Sequence, residues 1–213
     1  MRVAIFDVEG VLVDGEFLPS LGRLVGKERE VHEITLKGIR GEILWEEGLK
    51  KRIELLKGIG YEKCVEIAES LPLMPGAKEM SEKLRSLGFV MIGVSGGFSI
   101  LAERVRKELN LDHIFSNQLV FHRGKLIGYG LLVSSNKTRI LETALGDMLY
   151  ESKKVAVVDG ANDIDLFGIA DLRIAFNAQQ AVKAKADIVI DKKDLLLVYN
   201  AIEKNGSQFD LAR

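Results

Sequence analysis

Apolar residues cluster along the chain in five short runs, residues 3–6, 89–94, 155–158, 172–176 and 188–190. Runs this short, rich in Val and Ile and nearly free of polar residues, predict strands buried on both faces. Helical spacing fills much of the chain between them. Ala77, Met80, Leu84 and Leu87 share one helix face, with Gly88 placed to end it, and Ile100, Leu101, Val105 and Leu109 repeat the pattern. Strands alternating with helices predict a mostly parallel sheet covered on both sides. A small hairpin is expected where residues 119–121 and 126–128 flank His122-Arg123-Gly124-Lys125.

One interval breaks the alternation. About eighty residues separate the first run from the second, whereas a crossover needs only about a dozen or more. Residues 16–72 are rich in Glu, Lys, Leu and Ile at helical spacing, and Pro72, Pro75 and Gly76 mark the return to the sheet. The expected fold is α/β: a three-layer α/β/α, Rossmann-like parallel-sheet core over residues 1–14 and 76–213, with a small helical cap domain over 15–75. The last nine residues, from Asn205, are polar and are expected to fray.

Composition narrows the function. Lys plus Arg is 30 and Asp plus Glu is 31, a balance that argues against nucleic acid as the main partner. The single Cys, Cys64, cannot pair within the chain, which favours a reducing compartment. Asp7 breaks the first apolar run too early for a signal peptide, and no run approaches the roughly 20 apolar residues of a membrane span. A cytoplasmic protein with no membrane partner is the expectation.

Three of the strands run into distinctive polar groups: Asp7-Val8-Glu9-Gly10, Ser95-Gly96-Gly97 and Asp159-Gly160-Ala161-Asn162-Asp163. Ligands of open parallel sheets bind at the carboxyl ends of strands, so these groups are expected to share one site. Asp7 and Asp159 offer oxygen ligands suited to Mg²⁺. Ser95-Gly96-Gly97 can turn backbone N–H groups toward an anion. Lys137 is a candidate countercharge, although on the residues alone it reads as a solvated surface lysine. Metal, anion cradle and lysine together describe phosphoryl chemistry. No Gly-x-x-x-x-Gly-Lys-Ser/Thr loop or Gly-x-Gly-x-x-Gly turn is present, and Leu36 stands where a zincin starting at His32-Glu33 would need its second His.

The four segments, Phe6-Asp7-Val8-Glu9-Gly10-Val11, Val94-Ser95-Gly96-Gly97-Phe98, Lys137 and Asp159 to Asp163, resemble in order the four motifs of the haloacid dehalogenase superfamily. Their wording is most similar to its phosphoserine phosphatase branch. The resemblance spans the chain, including a helical cap after the first strand. It implies that Asp7 attacks phosphorus to form an aspartyl phosphate, and that Asp7, the Glu9 backbone carbonyl and Asp159 hold Mg²⁺. It further implies that Ser95, Gly96 and Lys137 hold the phosphoryl oxygens, that Asp163 orients Lys137 or a water, and that Asn162 lines the substrate pocket. Glu9 would serve as general acid and base. Two positions depart from the family pattern. Glu9 replaces the usual Asp with a stem one methylene longer, and Val158 replaces the Gly before Asp159, which either extends the buried strand or crowds the pocket floor.

For the substrate, the resemblance matches Glu16 to a cap acid that meets an amine and Arg52 to a cap arginine that clamps a carboxylate. Trp45, seven residues before Arg52, lies about two helical turns away and can face the same pocket. On the residues alone, Glu16 reads as a first-turn helix acid, Lys50-Lys51-Arg52 as a solvated basic face, and Trp45 as cap core. The expected activity is Mg²⁺-dependent hydrolysis of a small phosphorylated metabolite, foremost L-phosphoserine. A phosphatase for another phosphometabolite and a phospho-accepting regulatory protein with little turnover are the alternatives.

Overall fold

The computed structural model of the chain describes residues 1–40 and 42–210. Its strands are β1 (Arg2–Asp7), β2 (Phe89–Phe98), β3 (His113–His122), β4 (Lys125–Gly130), β5 (Lys153–Val158), β6 (Leu172–Phe176) and β7 (Ile188–Ile190). They form one sheet in the order β4-β3-β2-β1-β5-β6-β7, parallel except for the β3–β4 pair. The chain leaves β1 toward β2 and later returns to the other side of β1 as β5. The carboxyl ends of β1 and β5 therefore flank the point where the strand order reverses, the usual ligand crevice of such sheets.

Alternate residues of each strand feed two separate cores. Ala4, Phe6, Met91, Val157 and Phe176 pack on one face. Val3, Ile5, Ile92, Val94, Ala156 and Val158 pack on the other. This explains why the runs are apolar at nearly every position. It also settles Val158: the side chain is fully buried in the second core, so it extends the strand.

All five predicted strands are present, and the predicted hairpin is there too, but β3 begins earlier than its apolar run. Its first residues pair in parallel with β2, from Ile92↔His113 to Val94↔Phe115, before the strand turns to β4. Ser116, Asn117 and Gln118 hide this half from a hydrophobicity reading. Asn117 is nonetheless fully buried. It compensates by donating to the Gly96 carbonyl at 2.9 Å and accepting from Leu132 and Val133 N–H at 2.7 and 2.8 Å.

The helices are α1 (Phe17–Leu24), α2 (Glu28–Ile39), α3 (Trp45–Leu56), α4 (Tyr61–Ser70), α5 (Ala77–Ser86), α6 (Ser99–Leu109), α7 (Lys137–Leu145), α8 (Asp147–Tyr150), α9 (Gln180–Lys183) and α10 (Leu196–Lys204). The first four fill the interval between β1 and α5. A short stem joins them to the sheet, with Asp14 N–H on the Pro72 carbonyl at 3.0 Å and Met74 N–H on Leu12 at 2.9 Å. The α3–α4 turn is also tied to β4: Gly58 N–H donates to Leu126, Leu126 N–H to Ile59 and Tyr61 N–H to Gly124, at 2.8–2.9 Å. Tyr61 meets Phe121 edge to face, with ring centroids 5.2 Å apart.

The end of the described chain corrects the expectation of fraying. Gly206–Phe209 forms a 3₁₀ turn in which Phe209 is 0% exposed and packs against Phe89 at 5.3 Å between centroids. Arg2 donates to the Phe209 and Asp210 carbonyls at 2.5 and 2.6 Å. One aromatic residue outweighs its polar neighbours, because burying a Phe side chain contributes about 1.5–3 kcal/mol. Residues 211–213 of that segment lie outside the described residues. Phe209→Ala should lower the unfolding free energy by about 3–5 kcal/mol in urea titration; a frayed tail would lose almost nothing.

Candidate active site

The parallel register sets Asp7 beside Val94, so the residues that follow them meet at one edge of the sheet. Asp159 arrives beside them at the end of β5. Gly10, with φ +88°, turns the chain sharply past Asp159, and a Cβ there would overlap the Asp159 carboxylate. Ser95 Oγ accepts from Gly97 N–H at 2.9 Å, and Asn117 fixes the Gly96 carbonyl. The cradle is thus braced by a residue that carries no sequence motif.

Lys137 is the first residue of α7 and is only 3% exposed, which overturns its reading as a solvated surface lysine. Its Nζ pairs with Asp7, with Asp163 at 2.6 Å and with the Val94 carbonyl at 3.3 Å. Burial alone would depress the ammonium pKa, but Asp163 and Asp7 hold it above the usual lysine range. Asn162 lines the same cavity and donates to Asp163 at 2.7 Å.

Glu9 reaches out of the sheet to the inserted helices. Its Oε2 accepts from Phe17 N–H, the first residue of α1, at 2.6 Å. On the other side its carboxylate lies so close to Gly97 that a Cβ there would overlap it. Burial pushes the Glu9 carboxyl up to about 7, opposed by the Phe17 bond and reinforced by Asp7. Glu16 stands just before α1 rather than in its first turn and makes no capping bond there; Glu9 caps that helix instead, and Glu16 lines the cavity. Burial, with Glu9 and Asp7 adding to it, pushes Glu16 up to about 8.

The basic run on α3 divides by residue. Lys50 and Lys51 are exposed, and Lys51 pairs with Glu47 at 2.6 Å. Arg52 turns inward, with Nε on the Gly48 carbonyl at 3.2 Å and Nη1 on Thr35 Oγ1 at 3.3 Å. Burial lowers its pKa, while the charges of Glu9 and Glu16 act in the opposite sense. Trp45 serves both the helical core and the site: it packs against the first core, and a Cβ on Gly96 would meet its Cζ2 at 2.7 Å. Next to it, Glu46 Oε1 accepts from Ser135 N–H and Oγ at 3.1 and 2.8 Å.

Asp7, Glu9, Glu16, Arg52, Ser95, Gly96, Lys137, Asp159, Asn162 and Asp163 all line one cavity. It measures about 100 Å³, well below the roughly 300 Å³ at which pockets for drug-sized ligands begin, and so fits a small ligand. Thr35, Leu18, Leu49 and Gln179 also line it. Their signals were absent from the sequence: a threonine within a helix and two leucines read as ordinary packing. Carboxylate oxygens of Asp7, Asp159 and Asp163 lie within 4.8 Å of one another, near enough to share a metal ion. The all-oxygen donor set, much of it buried, fits a hard cation. Burial, with Asp7 and Asp163 adding to it, raises the Asp159 pKa, the direction expected where negative charge lacks a counterion.

A family model for haloacid dehalogenase-like hydrolases matches residues 1–171. Phosphoserine phosphatase of Methanocaldococcus jannaschii is 38% identical over 198 residues, covering 91% of this chain and 94% of the relative. That of Wolinella succinogenes is 38% identical over 200 residues, covering 92% and 97%. A solved phospho-aspartyl intermediate analogue of phosphoserine phosphatase superposes with a TM-score of 0.86 at 36% identity, covering 96% of this chain and 98% of that one. A substrate-bound phosphoserine phosphatase complex gives the same score and identity over 96% and 97%.

Glu9, Glu16 and Asp159 hold protons in the metal-free native state at pH values where the unfolded chain has released them. The contribution of Glu9 and Glu16 to stability is full below about pH 4.5 and is lost as pH rises toward 7–8, and that of Asp159 is lost in the same direction. A bound divalent cation would compensate for that loss. The rise in Tm on adding Mg²⁺ should therefore be larger at pH 8 than at pH 5.5, at about 2–4 °C per kcal/mol for a chain of this size. Equal shifts at the two pH values in paired thermal melts would contradict this account.

Proposed function

The chain belongs to the haloacid dehalogenase-like hydrolases, and within that family we propose that it hydrolyses L-phosphoserine to L-serine and phosphate through an aspartyl phosphate on Asp7. The observation that carries this reading is the charge arrangement of the cavity. Asp7, Lys137 and the Ser95-Gly96 turn lie at the sheet, while Glu16 and Arg52, of opposite charge, face the same space from the inserted helices. Phosphoserine carries a phosphate, an ammonium and a carboxylate, one group for each of these partners. Arg52 suits the carboxylate because its planar fork binds two oxygens at once.

Asp7 attacks phosphorus, and the P–O bond to serine breaks as Glu9 protonates the departing oxygen. Lys137, Ser95 and the Gly96 N–H hold the phosphoryl oxygens through the transfer. Glu9 then takes a proton from the water that attacks phosphorus, the bond from phosphorus to the Asp7 oxygen breaks, and phosphate leaves with the Asp7 carboxylate restored. A carboxyl raised to about 7 suits both duties near neutral pH. Asp7, the Glu9 carbonyl and Asp159 would hold Mg²⁺, which lessens the repulsion between the anionic nucleophile and the anionic phosphate. Asp163 fixes Lys137, and Asn162 borders the substrate. The four helices over residues 15–75 act as a cap that excludes water from the aspartyl phosphate. A regulatory phospho-acceptor needs neither a general acid beside its nucleophile nor a paired amine and carboxylate reader. No helix among the described residues is long and apolar enough to cross a membrane.

In Glu9→Gln, an aryl phosphate, whose leaving group departs unprotonated, should still phosphorylate Asp7 while hydrolysis of the aspartyl phosphate stalls. Phosphoenzyme should accumulate on acid quench; its absence, with equal losses for aryl phosphate and phosphoserine, removes Glu9 from the acid–base role.

Truncating one partner of a buried charge pair costs about 2–5 kcal/mol, so Arg52→Ala should lower kcat/KM for phosphoserine by at least about tenfold. It should affect an aryl phosphate much less. Phosphoglycolate, lacking the amine, and phosphoethanolamine, lacking the carboxylate, should be poor substrates of the wild type. If phosphoserine is no better than phosphoethanolamine, the substrate assignment fails.

A further inference from the structure

Outside the four motifs, Asp165 holds the start of α7 in place. Its Oδ2 accepts from Thr138 N–H at 2.8 Å and from Thr138 Oγ1 at 3.1 Å. Asn136 accepts from Arg139 N–H at 3.1 Å, so the first turn of the helix is capped from two directions. Lys137 begins this helix. A lysine is a point charge on a flexible four-carbon stem, so where its Nζ comes to rest depends on how firmly its backbone is fixed. The 3₁₀ segment Ala161–Gly168 carries both Asp163 and Asp165. One turn of chain therefore grips Lys137 at its Nζ, through Asp163, and at the adjoining backbone, through Asp165.

A second observation sets Asp165 apart. Its other oxygen, Oδ1, is the one buried side-chain polar atom among the described residues that has no hydrogen-bond partner. An unpaired buried carboxylate oxygen is destabilising, so the residue's value lies in its other oxygen, which grips Thr138. We propose that Asp165 is a positioning residue for Lys137, acting through Thr138 to set how tightly the site holds a phosphoryl group. The proposal rests on the reading of Lys137 as a phosphoryl-holding residue given above.

The test follows hydrolysis of an aryl phosphate by the Mg²⁺-loaded enzyme and measures inhibition by inorganic phosphate and, separately, by L-serine. In Asp165→Ala the inhibition constant for phosphate should rise at least about fivefold, the size of a lost helix cap. That for L-serine, which is read at the opposite end of the cavity, should stay unchanged. Asp165→Asn keeps an acceptor for Thr138 and should remain within about twofold of wild type. Thr138→Val removes the hydroxyl bond and keeps the N–H bond, and should give an intermediate rise, so the test stands even if Asp165→Ala does not fold. An unchanged phosphate constant in Thr138→Val, or in Asp165→Ala, overturns the proposal. So does a parallel loss of phosphate and L-serine binding, or an Asn variant as weak as Ala. If L-serine does not inhibit even the wild type, the substrate reading fails, while the phosphate measurements still decide the role of Asp165.

Discussion

Among the described residues, five carboxylates, from Asp7, Glu9, Glu16, Asp159 and Asp163, share one small cavity with two cationic side chains, Lys137 and Arg52. Like charges at such close quarters and out of water cannot all be ionised without compensation. The rest of the site answers that constraint. Lys137 is drawn fully inside between Asp7 and Asp163, where losing either partner would strand a buried charge. The remaining acids are pushed toward their protonated forms, and a cation among them would serve the same end. The sheet supplies the rigidity this needs, since its strands are packed on both faces and cannot yield to the repulsion.

Much of this was legible in the sequence, for reasons that differ by element. The strands were visible because doubly buried strands are apolar at nearly every position, and the strand-end groups because polar residues cluster where these runs stop. Lys137 was not visible from its own neighbourhood: Ser134, Ser135 and Asn136 look like any polar loop, and only the fold brings the side chain to Asp7. The early half of β3 was hidden because Asn117 is buried by satisfying its hydrogen bonds, which leaves no apolar signature. Thr35 was hidden for the same reason: its hydroxyl donates to the Val31 carbonyl at 2.9 Å while accepting from Arg52. Phe209 shows the opposite error, where a polar average concealed one anchoring ring.

Glu9 illustrates how a departure from a family pattern acquires a physical reason. Its carboxylate, one methylene further from the backbone than that of Asp, caps α1, so the group between Asp7 and the helices belongs to both. The orientation of an acid and the placement of Glu16, one residue before that helix, become a single geometric fact. Glu46 on Ser135 and Trp45 over Gly96 make a comparable connection on the far side of the cavity.

The hydrogen bonds between the α3–α4 turn and β4 matter beyond the cavity they border. β4 is the outermost strand on its side of the sheet, and an uncovered outer strand is a template for pairing with another chain. Gly58, Ile59 and Tyr61 occupy backbone groups of Gly124 and Leu126 on that margin. The opposite margin is β7, only three residues long, too short to recruit a neighbour effectively. The inserted helices thus cover part of this sheet's open margin. Loosening the α3–α4 turn would release a ribbon that carries exposed Ile127 beside Val120, and the first symptom of such damage would be self-association.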